Sequence, residues 1–154
     1  DFCPLQQAKE KEAGLSRMTA GFAWKWETKN NKDAFDIVIE DIPKRWNSSQ
    51  KDWVNSANAV NEVGCIHTVQ GYDLNYGFVI LGPDIYYDSD KGAVCVNKAN
   101  FKDAVAKKKA SNNDLQKIIV NAYYVLMTRG MLGTFLYVCD PALKEYLSHY
   151  IPVI

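Results

Sequence analysis

Between residues 18 and 26, apolar side chains alternate with smaller or polar ones, placing Met18, Ala20, Phe22, Trp24 and Trp26 on one side. A period of two is that of a strand with one strongly buried face. Residues 27–33 are polar and Asn-rich, which predicts a loop, and residues 35–39 predict a second short strand. Residues 43–52 carry no regular pattern. A short apolar run over 63–67 leads into a polar, Gly-containing turn over 68–75. The run Phe78-Val79-Ile80-Leu81 is apolar on both faces and closes on Gly82-Pro83, as interior parallel strands do. Residues 84–92 read as an acidic, tyrosine-bearing loop, and residues 93–96 and 134–139 as further strands.

The helical signals are separate. Residues 5–13, rich in Lys, Glu, Gln and Ala, predict an exposed helix that Gly14 stops. Residues 101–110 predict another, with Lys107, Lys108 and Lys109 near its end. Over 112–128, Leu115, Ile118, Ile119, Ala122 and Leu126 recur at helical spacing. Val120, Tyr123 and Val125 widen that stripe, which predicts a helix buried on more than one side. Gly130 is its stop. Asp140-Pro141 supplies an N-cap and a first-turn proline to a last helix with Leu143, Tyr146, Leu147 and Tyr150 on one side. Strands alternating with helices in this order give an α/β domain with a mostly parallel sheet.

Composition narrows the picture a little. The 154 residues fit one domain, and 47% apolar with 23% charged residues are ordinary for a folded chain. No apolar run reaches the roughly 18 residues of a membrane helix. Eighteen basic residues balance eighteen acidic ones, so nucleic acid could be held only by a local patch or within a larger assembly. Cys3, Cys65, Cys95 and Cys139 form no CxxC pair, and three of them lie in apolar runs, which favours a reducing, cytoplasmic setting. The first residues, Asp1-Phe2-Cys3-Pro4, have no secretory-signal character. They also lack an initiator Met, so the chain is expected to be an excised piece of a longer one.

Self-contained catalytic sets are missing from the sequence: no Walker phosphate loop, no G-x-G-x-x-G, no G-x-S-x-G and no H-E-x-x-H. With only His67 and His149, a multi-His metal site is excluded, and no metal ligand is assigned. Asp88-Ser89-Asp90-Lys91-Gly92 echoes a calcium loop but has Ala99 where the chelating Glu belongs. Asn47-Ser48-Ser49 is a glycosylation sequon, without meaning in the cytosol. Glu27-Thr28-Lys29 resembles the tail of a metal-dependent nuclease motif whose upstream Asp is not evident. Trp24 and Trp26 could stack bases, and Lys107 to Lys109 could follow a phosphate backbone; burial and a solvated helix end are the simpler readings.

Two segments are more specific: Cys65-Ile66-His67-Thr68-Val69-Gln70-Gly71-Tyr72-Asp73 ahead of the 78–81 strand, and Tyr124-Val125-Leu126-Met127-Thr128-Arg129-Gly130 at the end of the 112–128 helix. The chain resembles the second RecA-like domain of superfamily 1 helicases. The first segment is similar to their fifth motif, T-x-H-x-x-[KQ]-G-x-[ED], and the second to their sixth, Y-V-[AL]-x-T-R-[AG]. Residues 20–26 narrow the likeness to the bacterial DUF2075 group of helicase-like ATPases, related to Schlafen-like proteins. The resemblance covers nearly the whole chain.

It implies a three-layer RecA-like (P-loop NTPase-like) fold with helices on both faces of the sheet. It implies the second, C-terminal motor domain of an ATP-dependent DNA or RNA helicase or translocase. Arg129 would be the arginine finger, with Gln70, Gly71 and Asp73 beside the nucleotide and His67 and Thr68 near the nucleic-acid strand. Asp73 stands where the family often has Glu, and Cys65 where many members have Thr. ATP and Mg2+ would act only in the full-length protein, together with the first RecA-like domain, which carries the phosphate loop. The isolated chain is expected to be inactive. Two other readings remain open at this point: a non-catalytic nucleic-acid or protein binding module of the same fold, and a metal-dependent nuclease domain.

Overall fold

The computed structural model describes residues 1–154, the side chain of Asn112 excepted. Its centre is a four-stranded sheet, all parallel: β1 (Ser16–Ala20), β4 (Val63–Gly64), β5 (Leu74–Leu81) and β8 (Gly130–Val138), in the order β4-β1-β5-β8. Two antiparallel hairpins stand outside it, β2 (Ile37–Ile39) with β3 (Ile42–Lys44), and β6 (Ile85–Asp88) with β7 (Ala93–Val96).

Register sorts the strand residues between two cores. Met18 pairs with Phe78, and Phe78 with Phe135; Ala20 pairs with Ile80, and Ile80 with Tyr137. This row meets α1 (Phe2–Ala13), the β2–β3 hairpin and Trp46. Phe78 stacks on Phe135 at 4.7 Å and takes the edge of Phe2 at 5.1 Å. The alternate row, Val79, Leu81, Leu136 and Val138, meets α2 (Ile66–Val69), α4 (Asn112–Met127), α5 (Pro141–Ser148) and Trp53. Helices thus cover both faces, and this three-layer α/β architecture is compatible with a RecA-like fold.

Local signals explain most boundaries. Gly14 ends α1 at φ 68°. Asp103 caps α3 (Ala104–Lys109) through the Val105 and Ala106 amides, and Asp140 caps α5 through the Leu143 amide at 2.7 Å. The start of α1 is capped from outside, by the Glu40 carboxylate on the Phe2 amide. That first turn buries Phe2, Cys3 and Gln6, so the helix is exposed only beyond it. Arg17 is buried at the start of β1. It is paired with Glu10 at 2.8 Å and donates to the Val54 carbonyl, so its charge is satisfied.

Three expectations fail. The strand starting near Met18 stops at Ala20 instead of running to Trp26. Beyond it Phe22, Trp24 and Trp26 leave the sheet and gather around the buried Trp46, with ring centroids 5.7–6.5 Å away. Their alternation reflects packing on one indole, with no ladder behind it. Next, α4 is buried on one stripe only, through Leu115, Ile119, Tyr123 and Leu126; Ile118, Val120 and Tyr124 are exposed. Helix α4 lies on the outer layer, with sheet beneath it and Val120 and Tyr124 of its far side exposed. Finally, residues 85–88, within the expected loop, form a strand that pairs antiparallel with the expected 93–96 strand as a hairpin. The calcium-like stretch is its turn: Asp88 accepts from the Asp90 and Lys91 amides and pairs with the Lys91 ammonium at 2.7 Å.

Candidate functional site

Strands β5 and β8 begin side by side. The Leu74 amide donates to the Arg129 carbonyl at 2.9 Å, and Leu74 is in register with Gly130. The two motifs, far apart in sequence, therefore meet at the amino edge of the sheet, with Asp73 and Arg129 each immediately preceding a paired residue. Gln70, Gly71 and Asp73 are exposed there. Gly71 has φ 86°, a left-handed turn that favours glycine, with nothing near the position a Cβ would take.

Arg129 is half-buried at the end of α4. Its Nε donates to the Val125 carbonyl at 3.3 Å, and it forms no ion pair among the described residues. The Val125 carbonyl holds the stem of the side chain, while its terminal nitrogens have no hydrogen-bond partner among the described residues. The junction behind it is tight. A Cβ on Gly130 would lie 2.2 Å from the Gly133 carbonyl oxygen and 2.8 Å from the Gly77 amide nitrogen. Beside Gly130 the register slips: β5 advances from Leu74 to Tyr76 while β8 advances from Gly130 to Gly133. The extra residue is a bulge that turns Met131 and Leu132 outward, 64% and 62% exposed.

The remaining candidates lie toward the other edge. Helix α2 links the end of β4 to the turn before β5. His67 is exposed on it, with its ring 5.8 Å from Phe22. Thr68 is buried, and its hydroxyl donates to the Cys65 carbonyl at 2.9 Å, which spends the group inside the protein. Trp24 and Trp26 are half-buried against Trp46, and Lys107 to Lys109 are exposed on α3.

The nuclease-like triplet does not assemble. Residues 27–29 form a single 3-10 turn. Thr28 donates to Asp36, and Asp36 also accepts from the Trp46 amide; the Lys29 ammonium sits over the Trp26 ring at 4.3 Å. Among the described residues no group of three or more His, Cys, Asp or Glu side chains is placed to hold a metal ion. Asn47 of the sequon is buried, with its side-chain amide donating to the Ser49 carbonyl. All four cysteines are free thiols, and no helix is long and apolar enough to cross a membrane.

One group escaped the sequence reading. Asp84, at the head of what reads as a loop, is fully buried at the carboxyl edge of the sheet. Tyr123 of α4 donates to its Oδ1 at 2.5 Å and accepts from the Gly82 amide at 3.0 Å. Burial pushes the Asp84 carboxyl up to about 6 and the Tyr123 hydroxyl well above its ordinary value. Gly21 is needed here, since a Cβ would lie 2.5 Å from the Tyr123 hydroxyl oxygen. The sequence signal was present in two glycines, Gly21 and Gly82, each directly following a strand.

A yeast protein, "Uncharacterized protein YPL245W" of Saccharomyces cerevisiae, is 33% identical over 148 residues, which is 90% of this chain and 32% of that protein. The chain therefore spans about a third of the length of the curated relative it matches. No solved structure matches it significantly. The profile of the family described as Schlafen group 3, DNA/RNA helicase domain, matches residues 5–140, nearly the whole folded region. The chain belongs to that Schlafen group 3 helicase-domain family.

Proposed function

We propose that this chain is the second RecA-like domain of a superfamily 1 ATP-dependent DNA or RNA helicase or translocase, and that it works against a first RecA-like domain of the same polypeptide. The observation that carries the reading is the meeting of Arg129 with the Gln70–Asp73 turn at one edge of the sheet, through the Leu74–Arg129 backbone bond. A guanidinium without an ion-pair partner among the described residues, beside a glycine junction with no room for a Cβ, suits a group that must meet external negative charge. Phosphoryl transfer builds charge on the transferred group, and an arginine presented across a seam stabilises it.

ATP with Mg2+, bound in the full-length protein, supplies the phosphoryl group and its counter-ion. On this chain Arg129 contributes the positive charge, and Gln70 and the Gly71 backbone approach the phosphates. Asp73 accepts from a ribose hydroxyl; its short side chain calls for a closer seam than Glu would. Met131 and Leu132, turned outward next to Arg129, give that seam an apolar margin. Of the two strand-side candidates, exposed His67 contacts the nucleic acid and buried Thr68 shapes the turn that presents it.

The test is Arg129→Ala in the full-length protein. Nucleic-acid-stimulated ATP hydrolysis is expected to fall about 10³-fold or more, the scale of losing an arginine finger, with unchanged circular dichroism. Near-normal turnover would reject the assignment.

A further inference from the structure

The zero net charge of the chain conceals a divide. Between residues 98 and 117 stand six lysines, Lys98, Lys102, Lys107, Lys108, Lys109 and Lys117, against two acids, Asp103 and Asp114. Outside that stretch sixteen acidic side chains face twelve basic ones. Both acids of the stretch are engaged locally. Asp103 Oδ1 caps α3 through the Val105 and Ala106 amides, and Asp114 Oδ2 accepts from the Ser111 hydroxyl at the start of α4. Among the described residues none of the six ammonium groups is in an ion pair. All but Lys98 are exposed.

Position gives this charge a neighbour. The Lys102 amide donates to the Phe22 carbonyl at 2.6 Å, and the Phe22 ring lies 5.8 Å from the ring of His67. His67 of α2 and Ala106 of α3 line the same hollow of about 170 Å³. The basic stretch therefore adjoins the exposed histidine that the reading above gives to nucleic acid. Capping does not account for it. One cation near a helix C-terminus offsets the macrodipole, but α3 ends on three in succession, set about 100° apart around its axis. Lysines spread over such an arc fit no single acidic neighbour. A phosphodiester chain presents a charge at every nucleotide and can meet each of them.

We propose that Lys102 and the run from Lys107 to Lys109 carry the phosphate backbone of a single nucleic-acid strand past His67, a contact that positions the strand and reads no bases. The inference rests on the nucleic-acid reading above and adds to it the segment that supplies affinity. An ammonium on a flexible stem acts as a point charge, which suits backbone contact rather than base recognition. Each such contact releases condensed counterions, so the track is visible in the salt dependence of binding.

Fluorescence anisotropy on the full-length protein, with oligo-dT and oligo-U of about twelve nucleotides, tests this. Lys107→Gln, Lys108→Gln and Lys109→Gln together are expected to make the slope of log affinity against log salt shallower by about 2, and to weaken binding about 100-fold at about 0.1 M salt. Both strands should lose equally, because no base is read. If that triple fails to fold, Lys102→Gln alone is expected to flatten the slope by about 0.7. A control triple, Lys11→Gln, Lys32→Gln and Lys51→Gln, removes the same charge from exposed positions elsewhere and is expected to leave the slope as it was. Equal effects of the two triples would mean that bulk charge acts, and would overturn the track alone, as would an unchanged slope in the first. Wild-type binding to phosphatidylserine vesicles that the first triple abolishes, with strand binding intact, gives the patch to a membrane and likewise overturns the track. Absence of wild-type binding to both strands overturns the nucleic-acid reading and the track with it.

Discussion

Asp84 weakens the fold that contains it. Its carboxyl ionises near 3.8 in an unfolded chain and at about 6 in the folded one, chiefly because burial opposes the charge. A raised carboxyl pKa means that the native state holds its proton more firmly. The stabilisation is complete below about pH 4 and is lost as the pH rises through about 6. Asp84→Asn removes the charge and keeps an acceptor for Tyr123, so urea unfolding at neutral pH is expected to show a gain of up to about 3 kcal/mol. The difference from wild type should vanish near pH 4. A constant difference across that range would mean that folding does not shift the ionisation of this carboxyl. Glu40 and Asp41 carry a second strain. They turn the β2–β3 hairpin with φ values of 49° and 65°, a conformation that normally selects Asn-Gly. Asp41→Gly should relax the turn by about 1 kcal/mol in the same assay while leaving Glu40 to cap α1. Loss of stability would show that the Asp41 side chain holds something that its geometry does not reveal.

At the scale of elements, legibility followed burial symmetry. The run 78–81 is apolar on both faces because β5 lies between β1 and β8, with a core on each side, so pattern alone revealed a central parallel strand. The Asp140-Pro141 cap was equally plain, being local chemistry. Residues 20–26 misled because alternation records which side chains meet a hydrophobic surface and not whether a ladder forms. Gly21 must pass against the Tyr123 hydroxyl, and the Phe22 carbonyl takes the Lys102 amide, so the chain departs from the sheet. The turn from α4 into β8 depends on Gly130 in a way the sequence hid: helix termination by glycine is common, but here the constraint is contact with Gly133 and Gly77. Gly130→Ala is therefore expected to cost about 1–3 kcal/mol as an overpacked site. It should also lower ATP hydrolysis in the full-length protein by displacing Arg129. Retained stability together with full hydrolysis would mean that the junction yields more easily than its geometry allows.

Across the whole molecule, the two motifs meet at one edge of the sheet, and the buried Asp84–Tyr123 pair lies at the other. Each motif was readable in sequence, whereas their convergence was not, because it depends on the Leu74–Gly130 register. The surface between and around them is apolar in places where a self-sufficient domain would be polar. Strand β8 pairs on one side only, and Met131, Leu132 and Tyr124 lie exposed near its start. A long edge strand beside exposed apolar residues is a template for association. The isolated chain is accordingly expected to form oligomers that dissociate on dilution, as followed by light scattering. Met131→Lys combined with Leu132→Glu should suppress them without changing the circular dichroism, since both side chains already point outward. In the full-length protein the seam reading gives the same pair a different consequence: lower ATP hydrolysis with normal folding, because charge would then stand where a neighbouring domain closes on Arg129. Monomeric behaviour of the unmodified chain, together with unimpaired hydrolysis in the double variant, would show that this apolar margin is ordinary surface and would remove the bulge from the proposed seam.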